Sequence, residues 1–124
     1  MNLFNKILKK NNCKWYYDIP SSEKFLSAKK ARYLDADKVA SYIDLLKDNN
    51  DEISIEVSNE SKYITQISIW GESSKTAKIE RVEPRKCASY LLSANKNDIK
   101  KLVRKIELLA ENPSDFGLVL KGWE

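Results

Sequence analysis

The stretch ISIEVSNESKYITQISIWGESSKTAKIERV, residues 53–82, determines the fold of this 124-residue chain. Apolar side chains alternate with polar ones from Ile53 to Val57, which is the pattern of a half-buried β-strand. The same alternation returns in residues 62–70 and 76–82, after short polar connections. Parallel strands need long crossovers, so three strands joined by short loops predict an antiparallel meander.

Two segments outside the meander have the periodicity of amphipathic helices. Asp35 is a suitable N-cap for the first, in which Val39, Ile43 and Leu46 recur at helical spacing. Residues 97–111 form the clearest helix in the sequence, and Pro113 follows its end. Its apolar face is predicted to hold Ile99, Leu102, Val103, Ile106, Leu109 and Ala110. We therefore expect one α+β domain over residues 1–124, an antiparallel sheet of three or more strands with helices packed on one face.

The remaining segments give weaker indications. Residues 3–10 predict a short amphipathic helix, and residues 13–19 an aromatic strand. Residues 21–32 are compatible with either a helix or an extended piece. Residues 87–94 predict a fourth strand or a short helix, and residues 116–120 alternate as a last strand would.

Composition excludes several classes of enzyme. The chain contains no histidine, so histidine-based triads, cysteine–histidine dyads and histidine-bearing zinc sites are excluded. It also contains none of the motifs GxGxxG, GxxxxGK[ST], CxxC and HExxH. Cys13 and Cys87 are far apart in sequence, so we expect two free, buried thiols in a reducing compartment. These observations favour a binding protein over an enzyme, with no catalytic residue, metal ligand or cofactor.

Charge and hydropathy limit the partners. No apolar run approaches the roughly 20 residues that a membrane span needs, and the first ten residues lack the order of a secretion signal. We therefore expect a cytoplasmic protein that does not bind membranes. The net charge is +4, with a pI near 9.0. Lysine supplies most of the basic residues and arginine only four, whereas nucleic-acid binders more often concentrate arginine. The charge is therefore weak evidence for a nucleic-acid partner.

The helix at 97–111 carries the first candidate surface for binding a partner. Lys100, Lys101, Arg104 and Lys105 lie in its first half, on one stripe opposite the apolar face. Cations near a helix N-terminus oppose the macrodipole. This order is typical of a docking surface for an acidic partner or a phosphate backbone. The alternative is a lysine-rich face that only contacts solvent.

Trp70 is the second candidate for partner binding. It falls on the parity opposite to Ile67 and Ile69, so it lies on the open face of the sheet if those isoleucines meet the helices. Exposed tryptophans in polar surroundings are favoured interface anchors. The alternative is that another segment, such as the C-terminal one, covers it.

Three further groups have competing explanations. The aromatic run at residues 15–17 suits base stacking, but core packing explains it as well. Asp35 and Asp37 could act as an acid–base pair, yet a helix start also explains them. Glu80 and Glu83 straddle a strand end, and we expect no catalysis from either pair.

In its single α+β domain, its lack of catalytic motifs and its lysine- and asparagine-rich composition, the chain resembles the small immunity proteins of bacterial polymorphic-toxin and contact-dependent inhibition systems. Residues 11–12, 49–50 and 96–101 illustrate this composition. The resemblance implies a cytoplasmic antitoxin-like protein that docks on a cognate toxin domain, expected to be a nuclease, and neutralises it. A small basic nucleic-acid-binding module is the alternative function.

Overall fold

The structure, a computed structural model, describes residues 12–58 and 63–123. The helix predicted over residues 3–10 lies outside them. Within the described residues, eight antiparallel strands form one sheet and three α-helices pack on one of its faces, which confirms the α+β prediction. The strands are β1 (Cys13–Ile19), β2 (Lys24–Leu26), β3 (Arg32–Tyr33), β4 (Glu52–Ser58), β5 (Ile64–Gly71), β6 (Thr76–Glu83), β7 (Ala88–Asn95) and β8 (Val119–Gly122). The helices are α1 (Ala36–Ile43), α2 (Lys96–Val103) and α3 (Ile106–Glu111).

The meander predicted from the alternating stretch is present. The strand order is β2-β1-β4-β5-β6-β7-β8, and β3 pairs with β1 beside β2. Residues 87–94 fall mainly in a strand, β7, which extends the meander. The last strand begins later than predicted, because Pro113–Phe116 forms a 3-10 turn. The ambiguous segment at 21–32 is mostly extended, with two short 3-10 turns.

The core lies between the sheet and the helices. Odd-numbered isoleucines of β4, β5 and β6 face the helices, as their parity predicts, and full burial of such a side chain stabilises the fold by about 1.5–3 kcal/mol. From the sheet the buried set includes Ile53, Ile55, Ile67, Ile69 and Ile79. From the helical layer it includes Val39, Ile43, Leu46, Ile99, Val103, Ile106 and Leu109.

The single helix predicted over residues 97–111 is wrong. Asn95 caps α2 by accepting a hydrogen bond from the Asp98 amide, and the helix ends at Val103. Lys105 has φ −118° and ψ 28°, so the helical path is interrupted before α3 begins. Ile106 is buried after this break, while Leu102, expected on the apolar face, is only half-buried. Tertiary packing has therefore overridden a continuous helical propensity.

A buried turn fastens the helical layer to the end of β5. The Asp51 carboxylate is fully buried and accepts hydrogen bonds from the backbone and hydroxyl of Ser21 and from the Lys47 amide. The Gly71 amide donates to the Asp51 carbonyl at 3.1 Å. A Cβ on Gly71 would lie 2.5 Å from the carbonyl oxygen of Asp48. Only glycine therefore permits this close approach.

Lys96 joins the same turn to α1 and α2. Its side chain is buried, and its ammonium donates to the carbonyl oxygens of Asp44 and Leu46 just beyond the end of α1. Carbonyls at a helix C-terminus are acceptors without intrahelical donors, so a cation there is favoured. Lys96 is thus a structural lysine, distinct from the four predicted to bind a partner.

Cys13 and Cys87 are not joined by a disulfide, as expected, but only Cys13 is buried. Cys13 lies in the core beside Glu107, and burial, with the nearby carboxylate, raises its pKa to about 12. Cys87 is exposed, which corrects the expectation for it. It ends a 3-10 turn with φ 47°, and this places it at the tip of the β6–β7 hairpin. No helix in the described ranges is long and apolar enough to cross a membrane.

Candidate functional site

The sheet has a second face, here called the open face, which points away from the three described helices. It is formed by even-numbered positions of β1, β4, β5 and β6 and odd-numbered positions of β7 and β8, as the strand register requires. Trp70 lies on it, which confirms the parity argument. The part of this face around Trp70 consists of Tyr16, Asp18, Glu52, Ser54, Ser68, Lys78 and Glu80.

Trp70 occupies one end of this face. Its cross-strand neighbours are Glu52 on β4 and Lys78 on β6. The indole is partly exposed and borders a shallow depression lined also by Asn49 and Glu72. A large aromatic side chain that is flanked by charges and borders a depression suits a contact with a protein partner.

The C-terminal segment takes a different place from the one that would cover Trp70. β8 pairs with β7 at the edge of the sheet. The Trp123 indole donates to the Ser89 hydroxyl at 2.9 Å, whereas the β7 residue in the Trp70 row is Ser93. Four residues along a strand correspond to about 13 Å, so the end of the described chain lies well away from Trp70.

Carboxylates are concentrated beside Trp70. Asp18 lies directly opposite Glu52 in the β1–β4 register, and Glu80 lies on the same face of β6. Burial, together with the negative charges of Glu80 and Asp18, raises the pKa of Glu52, although a hydrogen bond from the Ser54 hydroxyl partly opposes this. Like charges placed opposite each other destabilise a sheet.

No cation neutralises this group within the described parts of the chain. The ion pairs found there are Arg81–Glu83, Lys100–Asp44, Lys101–Asp98 and Arg104–Asp37. None of them involves Asp18, Glu52 or Glu80. By contrast, Glu56 at the other end of β4 lies opposite Lys14. The acidic group is therefore local to the Trp70 end of the open face.

The predicted basic stripe lies on the other side of the molecule, in the helical layer. Lys100 pairs with Asp44 at 2.6 Å, and Arg104 pairs with Asp37 at 2.6 Å. Both pairs connect α2 or its end to α1, so these cations contribute to helix packing. Lys101 lies 3.9 Å from Asp98 and is largely exposed, and Lys105 is exposed at the break between α2 and α3. The structure therefore separates Trp70 from all four cations.

The remaining sequence candidates have structural roles. Trp15 is buried and packs against Tyr17 and Tyr42, with ring centroids 5.1 and 5.3 Å away. Of the aromatic run at 15–17, only Tyr16 lies on the open face. Asp35 caps α1 by accepting from two backbone amides.

Arg81 of β6 also has a structural role, because it connects the sheet to α3. Arg81 donates to the Ala110 carbonyl at 3.0 Å and pairs with Glu83 at 2.6 Å. A guanidinium at the last turn of α3 complements the helix dipole. Glu83 thus stabilises a structural arginine, while Glu80 is left on the open face.

Asp18 and Glu52 were missed by sequence reasoning. Asp18 lies between Tyr17 and Ile19, and Glu52 precedes Ile53, so the alternation places each carboxylate on the polar face of its own strand. The opposition between them depends on the pairing of β1 with β4, which no local pattern specifies. In the described ranges, histidine, cysteine, aspartate and glutamate do not form a group of three or more suited to a metal ion.

No family model matches the chain, and no curated protein or solved structure is significantly similar to it.

Proposed function

We propose that this protein is a cytoplasmic immunity protein that binds a bacterial toxin domain, a nuclease, and neutralises it by direct docking. In this proposal it is a binding protein with no turnover of its own. The open face is the docking surface, and Trp70 is its aromatic anchor.

One observation carries the proposal: a partly exposed tryptophan lies beside carboxylates that form no ion pair with the other described residues, on the sheet face opposite to the three described helices. Aromatic side chains at the centre of an interface contribute most to binding energy. Unpaired charges beside them favour specific orientation and fast association. A catalytic nucleophile must be accessible to its substrate as well as hydrogen-bonded to a base, and the Ser54 hydroxyl that donates to Glu52 is buried.

The nucleic-acid alternative has less support. Phosphate binding needs cations that are free to contact the backbone, whereas Lys100 and Arg104 pair with carboxylates of α1. The carboxylates of Asp18, Glu52 and Glu80 at the Trp70 end of the open face repel phosphate. Trp15, the largest aromatic of the run at 15–17, is buried, so it is not available for stacking.

Co-expression tests the proposal directly. The probe is the C-terminal domain encoded by the reading frame immediately upstream of this gene, produced with and without this protein. We expect that domain to arrest growth alone, and co-expression of this protein to restore growth and yield a complex with the absorbance ratio of pure protein. Continued arrest together with separate elution of the two proteins would contradict the proposal.

Co-purification with nucleic acid is a distinct outcome. If this protein alone eluted with an absorbance maximum near that of nucleic acid and lost it at high salt, the nucleic-acid alternative would replace the proposal. Leu108→Ala serves as a control variant in these assays. Leu108 is an exposed apolar residue on α3, far from the open face, so its truncation should leave protection unchanged.

A further inference from the structure

We propose that the group of Asp18, Glu52 and Glu80, here called the carboxylate patch, receives lysine and arginine side chains, so that the surface docking on this protein is basic. This inference rests on the proposed function for the identity of the partner as a toxin domain. The expected positive charge of the docking surface is argued from the structure of this chain alone, and it is opposite to the acidic partner expected for the basic stripe of the helical layer.

The sheet register creates the patch. Asp18 and Glu52 occupy paired positions on β1 and β4. Glu80 pairs across with Ser68, which in turn pairs with Ser54, the residue two positions from Glu52. The two serines are small and buried, so they leave the carboxylates as the prominent groups of this region. The carboxylates of β1 and β4 thus lie on one side of two short hydroxyls and the carboxylate of β6 on the other, on the same face as Trp70 and Lys78.

Among the residues that the structure describes, no cation forms an ion pair with the patch. The chain has 22 basic residues, yet the ion pairs formed within the described ranges use cations of the helical layer and of the β6 end. Lys78 is the nearest cation in the register, opposite Trp70, and it makes no ion pair there. Because unpaired like charges lower stability, the arrangement is unfavourable unless a cationic partner is bound.

Charge complementarity selects among the possible occupants of the face. A nucleic acid would bring phosphates against carboxylates. A second copy of this chain, docked face to face, would oppose the same carboxylates to one another. A basic protein surface supplies the missing positive charge, and such complementarity accelerates association and fixes orientation.

Trp70 adds a preference for arginine within that surface. A guanidinium can form a bidentate hydrogen-bonded pair with a carboxylate and also stack on an aromatic ring. The indole of Trp70 and the carboxylate of Glu52 lie on paired positions, which brings both kinds of contact within reach of one side chain. A lysine ammonium can pair with the carboxylate, but it lacks the planar group that forms a bidentate pair and stacks on the indole.

The first experiment needs only the free protein. Glu52→Gln keeps an acceptor for the Ser54 hydroxyl and removes one of the crowded charges, so we expect a higher Tm than wild type at neutral pH. Glu56→Gln is the matched control, because its cross-strand neighbour is Lys14, and it should not raise the Tm. A Tm for Glu52→Gln equal to or below that of wild type would overturn the claim that the patch is left unneutralised.

The second experiment measures attraction of cations to the patch. The probe is a tetra-arginine peptide, titrated into labelled protein while the Trp70 indole and the backbone amides are followed by NMR. We expect changes in chemical shift that are centred on β1, β4 and β6 around the patch. In the triple variant Asp18→Asn, Glu52→Gln, Glu80→Gln these changes should be at least threefold smaller. Tetra-lysine should give smaller shifts of the indole, and tetra-glutamate none.

The outcomes separate this inference from the proposed function. Shifts spread over other acidic residues, or unchanged in the triple variant, would overturn the inference even if the upstream toxin domain is neutralised. Clear arginine binding at the patch without any neutralised toxin would uphold the inference and overturn the proposed function.

Discussion

The guanidinium of Arg104 lies 2.6 Å from the Asp37 carboxylate, and this contact joins the end of α2 to the first turn of α1. Lys100 and Asp44 make a parallel contact closer to the end of α1. Two of the four cations of the predicted basic stripe, Lys100 and Arg104, thus take part in contacts between helices. These contacts move the expected partner site from the helical layer to the open face.

The first prediction concerns that stripe. Arg104→Ala should lower the free energy of unfolding by less than about 1 kcal/mol, because both partners are largely exposed and solvent screens the pair. The same change should leave the association rate with the toxin domain, and its salt dependence, unaltered. Chemical denaturation and stopped-flow mixing measure the two quantities. A several-fold slower association would return the site to the helical layer.

The second prediction tests the close approach at the end of β5. Gly71→Ala should destabilise the domain by about 2 kcal/mol or more, because its Cβ would meet the backbone of Asp48 in a packed region. Gly122→Ala is the control, since nothing lies within 4 Å of a Cβ built there. Urea denaturation should separate the two variants clearly. Equal midpoints would mean that the turn at 48–51 does not pack against β5 as described.

The third prediction tests the helical layer after its break. Ile106 is 3% exposed and Leu108 is 55% exposed, so the same truncation to alanine should have different costs. We expect about 2–5 kcal/mol for Ile106→Ala and less than about 1 kcal/mol for Leu108→Ala. Similar losses for both variants would mean that α3 does not present Ile106 to the core as described.

The fourth prediction is a pH dependence. Burial alone would raise the pKa of Asp51, but hydrogen bonds from Ser21 and Lys47 outweigh it and hold the pKa below the ordinary aspartate value of 3.8. The carboxylate therefore stabilises the fold above pH 3.8, and this contribution is lost as the pH falls through the lower folded-state pKa.

Asp51→Asn checks this sign. At neutral pH the variant should lose about 1–3 kcal/mol, because an amide cannot accept all the hydrogen bonds that the carboxylate accepts. The loss should shrink in acid, as the wild-type carboxylate becomes protonated. Thermal melts of both proteins from neutral pH, through pH 3.8, down to the lowest pH at which both stay folded measure it. A loss that stays constant over this range would show that ionisation of Asp51 does not contribute.

Local patterns predicted much of the sheet and one helix start. Alternation in residues 53–82 placed Ile67 and Ile69 in the core and Trp70 on the opposite face, because a strand has a period of two. Asp35 was predicted as a cap, since its side chain needs only the amides of the next turn. Each of these features depends on a few neighbouring residues.

Features that depend on distant pairing were not predictable. The helix is interrupted at Lys105, where α3 turns to pack against the sheet. The helical periodicity of residues 97–111 does not predict this interruption. The opposition of Asp18 and Glu52 requires the β1–β4 register, and these residues are far apart in sequence. The carboxylate patch therefore emerges only when the strands are assembled.

Trp70→Ala gives the most direct test of the central claim that the open face binds the partner. The measurement is the Kd of the catalytically inactivated upstream toxin domain for wild type, Trp70→Ala and Leu108→Ala, by calorimetry, with folding checked by circular dichroism. The account predicts that Trp70→Ala weakens binding by at least about 2 kcal/mol, roughly 30-fold in Kd, while Leu108→Ala changes it little. A folded Trp70→Ala variant that binds with the wild-type Kd would contradict the account.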